Sequence, residues 1–399
     1  MDIIPINKKE SNYYFLMDPA RIYICCNACK RRELDSFWVK KYLQKNGYTI
    51  VDNPHDANII FFFTCSFSEE MSWDSCRKLY FFQENYNYVF VFGCFPIIGM
   101  HNLNLSKNVV VINNEALQDI EMYFPPCKLQ LKYIQDGNDI YYDTIFKSDI
   151  FLIRISKGCY GNCSYCAIKK VIGHHKSKAI STIIEELKKA LKQNFSYIRL
   201  VADDGGGYGI DCQLTIVKLL EQICSYTQIK GVDFEINPKW ILGYRNEFYN
   251  FIKNHSNLLF KITIPIQSFS SNILRDMNRN LNVVEFIEFI KKIKEYNNNL
   301  YLTTHIIIGY PTEKQNDIDE TLKHLISLRF QQINLFPCTL HPHSPIGQLY
   351  KSIDSVQKKI NYVINKLCEN GYTMIEASKS ETNQWQHVIF NYTRQNSNC

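Results

Sequence analysis

Long hydrophobic runs are missing from this 399-residue chain. The longest apolar stretches, such as Ile59–Phe63 and Ile306–Ile308, fall far short of the roughly 20 residues a membrane helix needs, which argues against a spanning segment. The opening MDIIPINKKESNYYF shows no cationic leader ahead of an apolar core, so no signal peptide is read there. Repeats of fixed period and low-complexity linkers are also lacking, which argues against a solenoid or a disordered tether. Charge of one sign is weak. A net +6 and a pI near 8.5 are well short of the basic face of a dedicated nucleic-acid binder. What the chain has in excess is cysteine. Fifteen of them is an odd, high count that fits poorly with a secreted disulfide scaffold. A reducing cytoplasm is the expected location, and clustered cysteines there usually mean metal or redox chemistry.

Hydrophobic residues make up 46%, enough to bury the cores of two or three domains. Residues 1–130 alternate strand and helix. Strands are expected over Ile22–Cys26, Tyr48–Val51, Asn58–Phe63, Tyr88–Phe92 and Asn108–Ile112, with helices over Glu33–Asn46 and Glu69–Gln83. The runs IIFFF and YVFVF are apolar at successive positions, as parallel strands buried on both faces are. This is the pattern of a doubly wound α/β domain. Residues 131–149 are polar and irregular, and read as a linker with room for a hairpin. Alternation resumes over 150–345. Strands at Phe151–Ser156, Tyr197–Val201, Gly231–Ile236, Phe260–Ile266, Leu302–Ile308 and Ile333–Phe336 make six βα units, an open sheet or an incomplete barrel. Residues 346–399 read as a short helical extension. Ser355–Asn370 is helical, and the tail from Ser378 shows little period.

The sharpest signal is KGCYGNCSYC, with Cys159, Cys163 and Cys166 in the loop after the second domain's first strand. Thiolates are the soft ligands that suit iron–sulfur clusters. Three of them leave one iron of a four-iron cluster open to bind something else. A zinc site completed by His174 or His175 is the simpler alternative, although structural zinc more often pairs two C-x-x-C knuckles. A second set lies in the first domain. Cys29, Cys65 and Cys94 each sit just beyond the carboxyl end of a predicted strand, and in a parallel sheet those ends share one edge. Cys25 and Cys26 lie close enough to replace Cys29. Cys76, Cys127, Cys212, Cys224, Cys338 and Cys368 fit ordinary buried core thiols and are assigned no role.

C-x-x-x-C-x-x-C with an aromatic before the last cysteine resembles the radical S-adenosylmethionine (SAM) superfamily motif. The two triads together resemble the radical SAM methylthiotransferases, in order from about Ile22 to Ser344. Other matching stretches are VADDGGGYGID (201–211), IPIQSFSSNILRDMNRN (264–280) and TTHIIIGYPTE (303–313). Cysteine spacing, Asp35-Ser36 and CSYCAI are nearer the ribosomal-protein-modifying subgroup than the tRNA-modifying one. The resemblance implies a radical SAM barrel as the second domain and two [4Fe–4S] clusters. Cys159, Cys163 and Cys166 would hold the SAM-binding cluster, and Cys29, Cys65 and Cys94 the auxiliary one. It also implies SAM as cofactor, an electron donor such as flavodoxin or ferredoxin, and conversion of an inert C–H to C–S–CH3.

Asp203, Asp204, Gln267 and Ser268 are candidate SAM contacts because they end strands. The resemblance adds Tyr165, the aromatic before the last cysteine, and Ile308, Gly309 and Pro311, which match the stretch that flanks adenine in the superfamily. For the acidic pair the plain alternative is a helix cap, and for Gln267 a satisfied buried amide. Arg275 and Arg279 could hold a carboxylate or make helix-surface ion pairs. The sequence departs from the family pattern at Phe269 and Thr312, where glycines are usual. The family's C-terminal substrate-docking β-barrel is not read either, since residues 371–398 are too few for it. A peptide or protein substrate is expected, with a ribosomally made precursor peptide as one candidate and tRNA as the runner-up. A non-catalytic iron–sulfur protein for redox sensing or cluster delivery is the rival of another class.

Overall fold

The computed structural model describes residues 20–66, 69–99, 103–134, 140–379 and 384–392. The chain divides into two compact units, Met1–Ser66 with Ser72–Asp136, and Phe67–Met71 with Gly137–Cys399.

In the first unit β1 (Arg21–Cys26), β2 (Thr49–Ile50), β3 (Ile59–Thr64), β4 (Tyr88–Gly93) and β5 (Val109–Val111) form one parallel sheet in the order β2-β1-β3-β4-β5. Successive side chains go to opposite faces. Phe61, Phe63, Phe90 and Phe92 pack with Trp38, Val39, Tyr42 and Leu43 of helix α1 (Lys30–Lys45). Ile60, Phe62, Val89 and Val91 pack with Leu79 and Phe82 of helix α2 (Glu69–Asn85). Both faces are therefore covered, the doubly wound arrangement expected, and no position of IIFFF can be polar without burying an unpaired group. Each fully buried phenylalanine stabilises the layer by about 1.5–3 kcal/mol.

The second unit opens with a hairpin of β6 (Ile140–Asp143) and β7 (Ser148–Arg154). A short antiparallel pair, β8 (Ser156–Lys157) and β9 (Lys176–Ser177), brackets the cysteine loop. Then come β10 (Tyr197–Val201), β11 (Gly231–Glu235), β12 (Leu259–Gln267), β13 (Leu300–Ile308) and β14 (Gln332–Pro337). Strand β7 and these five are parallel neighbours, the six βα strands expected from the sequence. Their helix-facing side chains, among them Ile198, Val232, Phe260, Ile306 and Ile333, are fully buried in one apolar core. The opposite face carries charge. Arg199, Asp233 and Lys261 stand in one cross-strand row. Asp233 Oδ2 lies 3.3 Å from Arg199 Nε and 3.7 Å from Lys261 Nζ, and Lys261 also reaches Asp143 Oδ2 at 3.1 Å.

The C-terminal stretch is richer than the helical extension read from the sequence. Helix Val356–Glu369 forms as expected, but a hairpin follows, β15 (Tyr372–Lys379) and β16 (Trp385–Tyr392). Strand β16 pairs antiparallel with β14, giving a nine-stranded sheet in the order β15-β16-β14-β13-β12-β11-β10-β7-β6. The outer edge of β14 is thus taken by the chain itself. Val388 and Phe390 of β16 are fully buried in the helix-facing core. Apolar Ile389 between them hides the alternation that would mark a strand. Among the described residues no helix is long and apolar enough to cross a membrane.

Candidate functional site

The loop carrying Cys159, Cys163 and Cys166 is pinned from several sides. Gly158 has φ +76, and a Cβ there would lie 2.1 Å from the His174 carbonyl oxygen, so only glycine lets β8 and β9 close. The Gly158 N–H donates to Asp203 Oδ2 at 2.8 Å. Lys169 Nζ donates to the Cys159 carbonyl, and Asn278 Nδ2 to that of Asn162 at 2.8 Å. Ser164 bonds the Met277 carbonyl through its N–H at 3.1 Å, and its own carbonyl accepts from Ile346 at 3.0 Å. Its hydroxyl meets Tyr310 Oη at 2.8 Å.

Two of the sulfurs, those of Cys159 and Cys163, face a common basin. A Cβ on Gly161 would stand 3.1 Å from Cys159 Sγ and 3.8 Å from Cys163 Sγ, so those two sulfurs are no more than about 7 Å apart. The Gly161 N–H donates to Cys159 Sγ at 3.0 Å. Burial, then the Asp204 carboxylate, then Cys163 push the Cys159 thiol up to about 12, against the Gly161 N–H. Burial beside the Asp204 carboxylate disfavours the Cys159 thiolate unless a cationic group joins it, and the iron of a cluster is such a group. The soft donor set fits that chemistry. Among the described residues no three His, Cys, Asp or Glu side chains converge tightly enough for a single metal ion. His175, one zinc candidate, uses both ring nitrogens elsewhere: Nδ1 lies 3.3 Å from the Gly158 carbonyl and Nε2 3.3 Å from Ser177 Oγ. His174 is exposed.

Asp204 holds the N-cap position of the 3-10 turn Gly205–Gly207 but makes no side-chain cap there, and it and Asp203 are engaged elsewhere. They anchor the loop, with Asp204 3.6 Å from Cys159 Sγ and accepting Trp240 Nε1 at 3.0 Å. The glycines after them are taken up by the protein rather than left open for a ligand. A Cβ would meet the Glu235 carbonyl at Gly205, Trp240 at Gly206 and Tyr160 at Gly207, at 2.4, 2.5 and 3.0 Å. Gln267 differs from the plain alternative offered for it. It is 8% exposed with φ +78, at a register break in β12, and its buried Oε1 has no hydrogen-bond partner. A buried amide oxygen left unpaired is what a ligand-binding position looks like before the ligand arrives. Ser268 Oγ meets Thr321 Oγ1 at 3.2 Å, which also accepts the Phe269 N–H at 3.1 Å. Ile308 turns its side chain into the helix-facing core, and its carbonyl accepts from Cys338 at 2.7 Å. Gly309 has φ +86 and donates to Glu313 Oε2 at 2.6 Å. Pro311 is half-buried nearby. Phe269 packs among Phe286, His324 and Phe330 on the helix side, so the departure from glycine there does not reshape the inner face. Thr312 Oγ1 donates to Asp276 Oδ2 at 2.5 Å at the surface.

Arg279 turns out to matter and Arg275 does not. Arg275 is exposed on Asn272. Arg279 reaches Cys163 Sγ at 3.6 Å, Tyr165 Oη at 3.2 Å and the Pro265 carbonyl at 2.6 Å. Tyr165 is half-buried, and burial raises its hydroxyl above the usual range although Arg279 pulls it down. Trp240, Tyr160 and Tyr310, which the sequence did not single out, complete the frame, and Tyr160 stacks on His175 with centroids 4.6 Å apart.

In the first unit Cys29 is the residue preceding α1, while Cys65 and Cys94 follow β3 and β4. Cys65 and Cys94 are buried, at 7% and 5% exposure, and Cys29 is solvent-accessible. Gly93, with φ +101, lets β4 end against β3, since a Cβ would meet the Thr64 carbonyl at 2.1 Å. The Cys94 N–H then bonds that same carbonyl at 3.3 Å. Burial pushes the Cys94 thiol up to about 12, with Arg32 pulling against it and Cys65 and Cys29 adding to it, so the three thiols feel one another. At Cys29 desolvation opposes ionisation, but Arg31, Arg32 and their backbone N–H groups outweigh it and hold the thiol low. Cys26 is the reverse case, raised to about 11 by burial despite Ser36. The electrostatics therefore favour Cys29 over Cys26 as a thiolate. This set too fits a group that brings its own positive charge.

Residues 153–325 match the Radical SAM superfamily, and residues 21–112 match the uncharacterized protein family UPF0004. The ribosomal protein uS12 methylthiotransferase RimO of Chlorobium luteolum is 24% identical over 357 residues, 85% of this chain and 77% of that protein. A probable threonylcarbamoyladenosine tRNA methylthiotransferase of Pyrococcus horikoshii is 26% identical over 329 residues, 79% and 76% of the two chains. The radical SAM methyltransferase TsrM of Kitasatospora setae shares the fold, with a TM-score of 0.59 at 9% identity over 94% of this chain and 86% of that one.

Proposed function

This chain belongs to the radical SAM methylthiotransferase family, and from that premise we propose that it converts an unactivated C–H of a peptide or protein side chain to C–S–CH3. It is a radical SAM transferase, and SAM with a [4Fe–4S] cluster is the equipment of that superfamily. The observation that carries the reading is the pair of thiol triads. Each stands at strand ends of its own unit, and in each a thiol is pushed up by burial and by its sister thiols.

Cys159, Cys163 and Cys166 would hold the cluster that binds SAM, and Cys29, Cys65 and Cys94 a second, auxiliary cluster. Bound there, these groups would supply the one-electron and sulfur chemistry that no side chain offers. The chain's own residues position them. Arg279 orients Tyr165 and Cys163 together, Asp203 fixes the turn at Gly158, and the orphaned Gln267 oxygen awaits a donor. Tyr165, Ser268, Gly309 and Pro311 complete the SAM-binding candidates. Ile308, with side chain and carbonyl both engaged, drops out of them. A one-electron donor of the flavodoxin or ferredoxin class is the required partner.

A peptidyl substrate is supported by the ribosomal-protein methylthiotransferases among the similar proteins and by the thin net charge of +6, since binding a polyanion takes several phosphate contacts. The tRNA methylthiotransferases that are also similar favour tRNA as the second reading. The test is anaerobic reconstitution followed by mass spectrometry of total tRNA and candidate peptides supplied separately. A Cys159→Ala/Cys163→Ala/Cys166→Ala variant should lose SAM cleavage and about half of the iron, as loss of one of two four-iron clusters requires. Undiminished SAM cleavage in that variant would sink the radical SAM assignment of these cysteines. Methylthio groups on tRNA alone would replace the peptide reading with the tRNA one.

A further inference from the structure

The C-terminal hairpin brings one more functional group to the inner face of the barrel. Strand register fixes where it lies. Ile307 stands opposite Phe336, and Leu335 opposite Val388, so Phe336 and His387 are cross-strand neighbours on β14 and β16. Leu335 and Val388 are fully buried on the helix side. Their neighbours Phe336 and His387 therefore point to the inner face. Gln267, at the end of β12, is opposite Ile306, in the row that continues through Leu335 and Val388, so Phe336 and His387 stand one row beyond it at the carboxyl ends of the strands.

Three rings from three strands form a ladder there. Phe336 stacks on His387 with centroids 4.6 Å apart and planes 11° from parallel, and His305 of β13 meets Phe336 edge-on at 5.5 Å. The ladder fixes the His387 ring, yet its Nε2 is buried without a hydrogen-bond partner. A buried ring nitrogen left unpaired is a standing cost that a bound group would remove. Burial and the neighbouring His305 depress the His387 imidazole to about 4, so the ring is neutral at pH 7. A neutral imidazole offers a hydrogen bond but no charge, and a carboxylate would find no cation on it. Phe336 spends a face on His387, so this wall presents a nitrogen rather than an open ring for a nucleobase.

We propose that β16 forms a wall of the substrate cavity and that His387 hydrogen-bonds an uncharged amide group of the peptide substrate, with Phe336 and His305 holding its ring in place. The inference rests on the peptide-modifying reading above.

The test uses the reconstituted full-length enzyme with a random-sequence decapeptide library as the probe, and total tRNA in a separate arm. His387→Ala should raise KM for the modified peptides about tenfold, as loss of one buried hydrogen bond implies, with a smaller fall in kcat. His387→Gln, which keeps a hydrogen-bonding group at a similar reach, should recover part of the loss. Iron content equal to wild type in both variants reports that the hairpin has folded. Peptide methylthiolation with the same KM in His387→Ala and wild type would overturn this inference and leave the peptide reading intact. A KM that rises alike in both variants with iron lost would show a structural role only, and would also overturn it. Modification of tRNA but of no peptide would sink the peptide reading and this inference with it, and absence of product in either arm counts against both.

Discussion

Replacing Gly158 by alanine should separate the architecture of the cysteine loop from its contents. The substitution adds one methyl group at φ +76, where a Cβ would meet the His174 carbonyl oxygen at 2.1 Å and the His175 nitrogen at 2.7 Å. The left-handed conformation costs a non-glycine residue about 1–2 kcal/mol. The overlap is with backbone and cannot be relieved by rotating a side chain, and overpacking of this kind costs about 1–3 kcal/mol more. The sum, about 2–5 kcal/mol, is enough to part β8 from β9. Gly161→Ala is a different perturbation. Its φ is ordinary, but the methyl would stand 3.1 Å from Cys159 Sγ, inside the sulfur basin. Gly243→Ala is the control, since nothing lies within 4 Å of its Cβ position. The assay is iron per chain beside thermal unfolding of the iron-free protein. Gly158→Ala should lose both iron and stability, Gly161→Ala iron but little stability, and Gly243→Ala neither. A Gly158→Ala protein with wild-type iron and an unchanged melting temperature would refute the account of how this loop is held.

Arg279→Lys keeps the charge but cannot span Cys163, Tyr165 and the Pro265 carbonyl at once. Losing the buried hydrogen bonds should cost about 1–3 kcal/mol and speed the release of iron to a chelator, and an unchanged release rate would count against the anchoring role. Glu313 supplies a pH test. Burial raises its carboxyl from 4.5 to about 7, against the Gly309 N–H and Lys359. A raised carboxyl contributes its stability in full below 4.5 and loses it as pH climbs through 7. Glu313→Gln, which still accepts from Gly309, should therefore gain on wild type by up to about 3 kcal/mol at pH 8 and nothing near pH 4.5, taking about 1.36 kcal/mol per pH unit. Parallel stability curves for the two proteins across that range would refute it.

The parallel strands were legible because burial on both faces writes itself as an unbroken apolar run, as in Ile59–Phe63. Once those runs were placed, the cysteines at their ends followed. The C-terminal hairpin was not legible, since β16 draws its partner from β14, more than fifty residues away, and Ile389 masks its alternation. From sequence alone Arg279 reads equally as a carboxylate clamp or a surface ion pair. The run RDMNRN reads as a helix surface, and the contact that decides it spans 116 residues. The glycine run after Asp204 misled in the opposite direction. Three glycines permit close approach, but whether a ligand or the protein's own Trp240 and Tyr160 makes that approach is a tertiary fact.

The inner face of the second unit grades across the sheet, from strands β7, β10, β11 and β12, which carry acidic, Lys and Arg side chains, to β13, β14 and β16, which carry none of these. Its lower row joins Arg199, Asp233, Lys261 and Tyr301, alternating in charge until the hydroxyl. Burial raises the Asp233 carboxyl, and Arg199 and Lys261 pull it back. The next row runs from Glu235 through Thr263 and Thr303 to Gln332, with its one charge on β11. At the carboxyl ends stand the buried Arg154 on β7, and Ile307, Phe336 and His387 on β13, β14 and β16. Such a gradient suits the proposed chemistry better than it suits acid–base work. A reaction that develops charge wants oriented charges or dipoles aimed at the changing atoms. Removal of a hydrogen atom develops almost none, so what it asks of the walls is a fixed, unreactive surface and exact placement of one carbon. The ionic row keeps its charges against one another at the foot of the sheet. Strand β16 of the hairpin continues the surface free of acidic, Lys and Arg side chains past β14 and covers the edge that β14 would otherwise open to water.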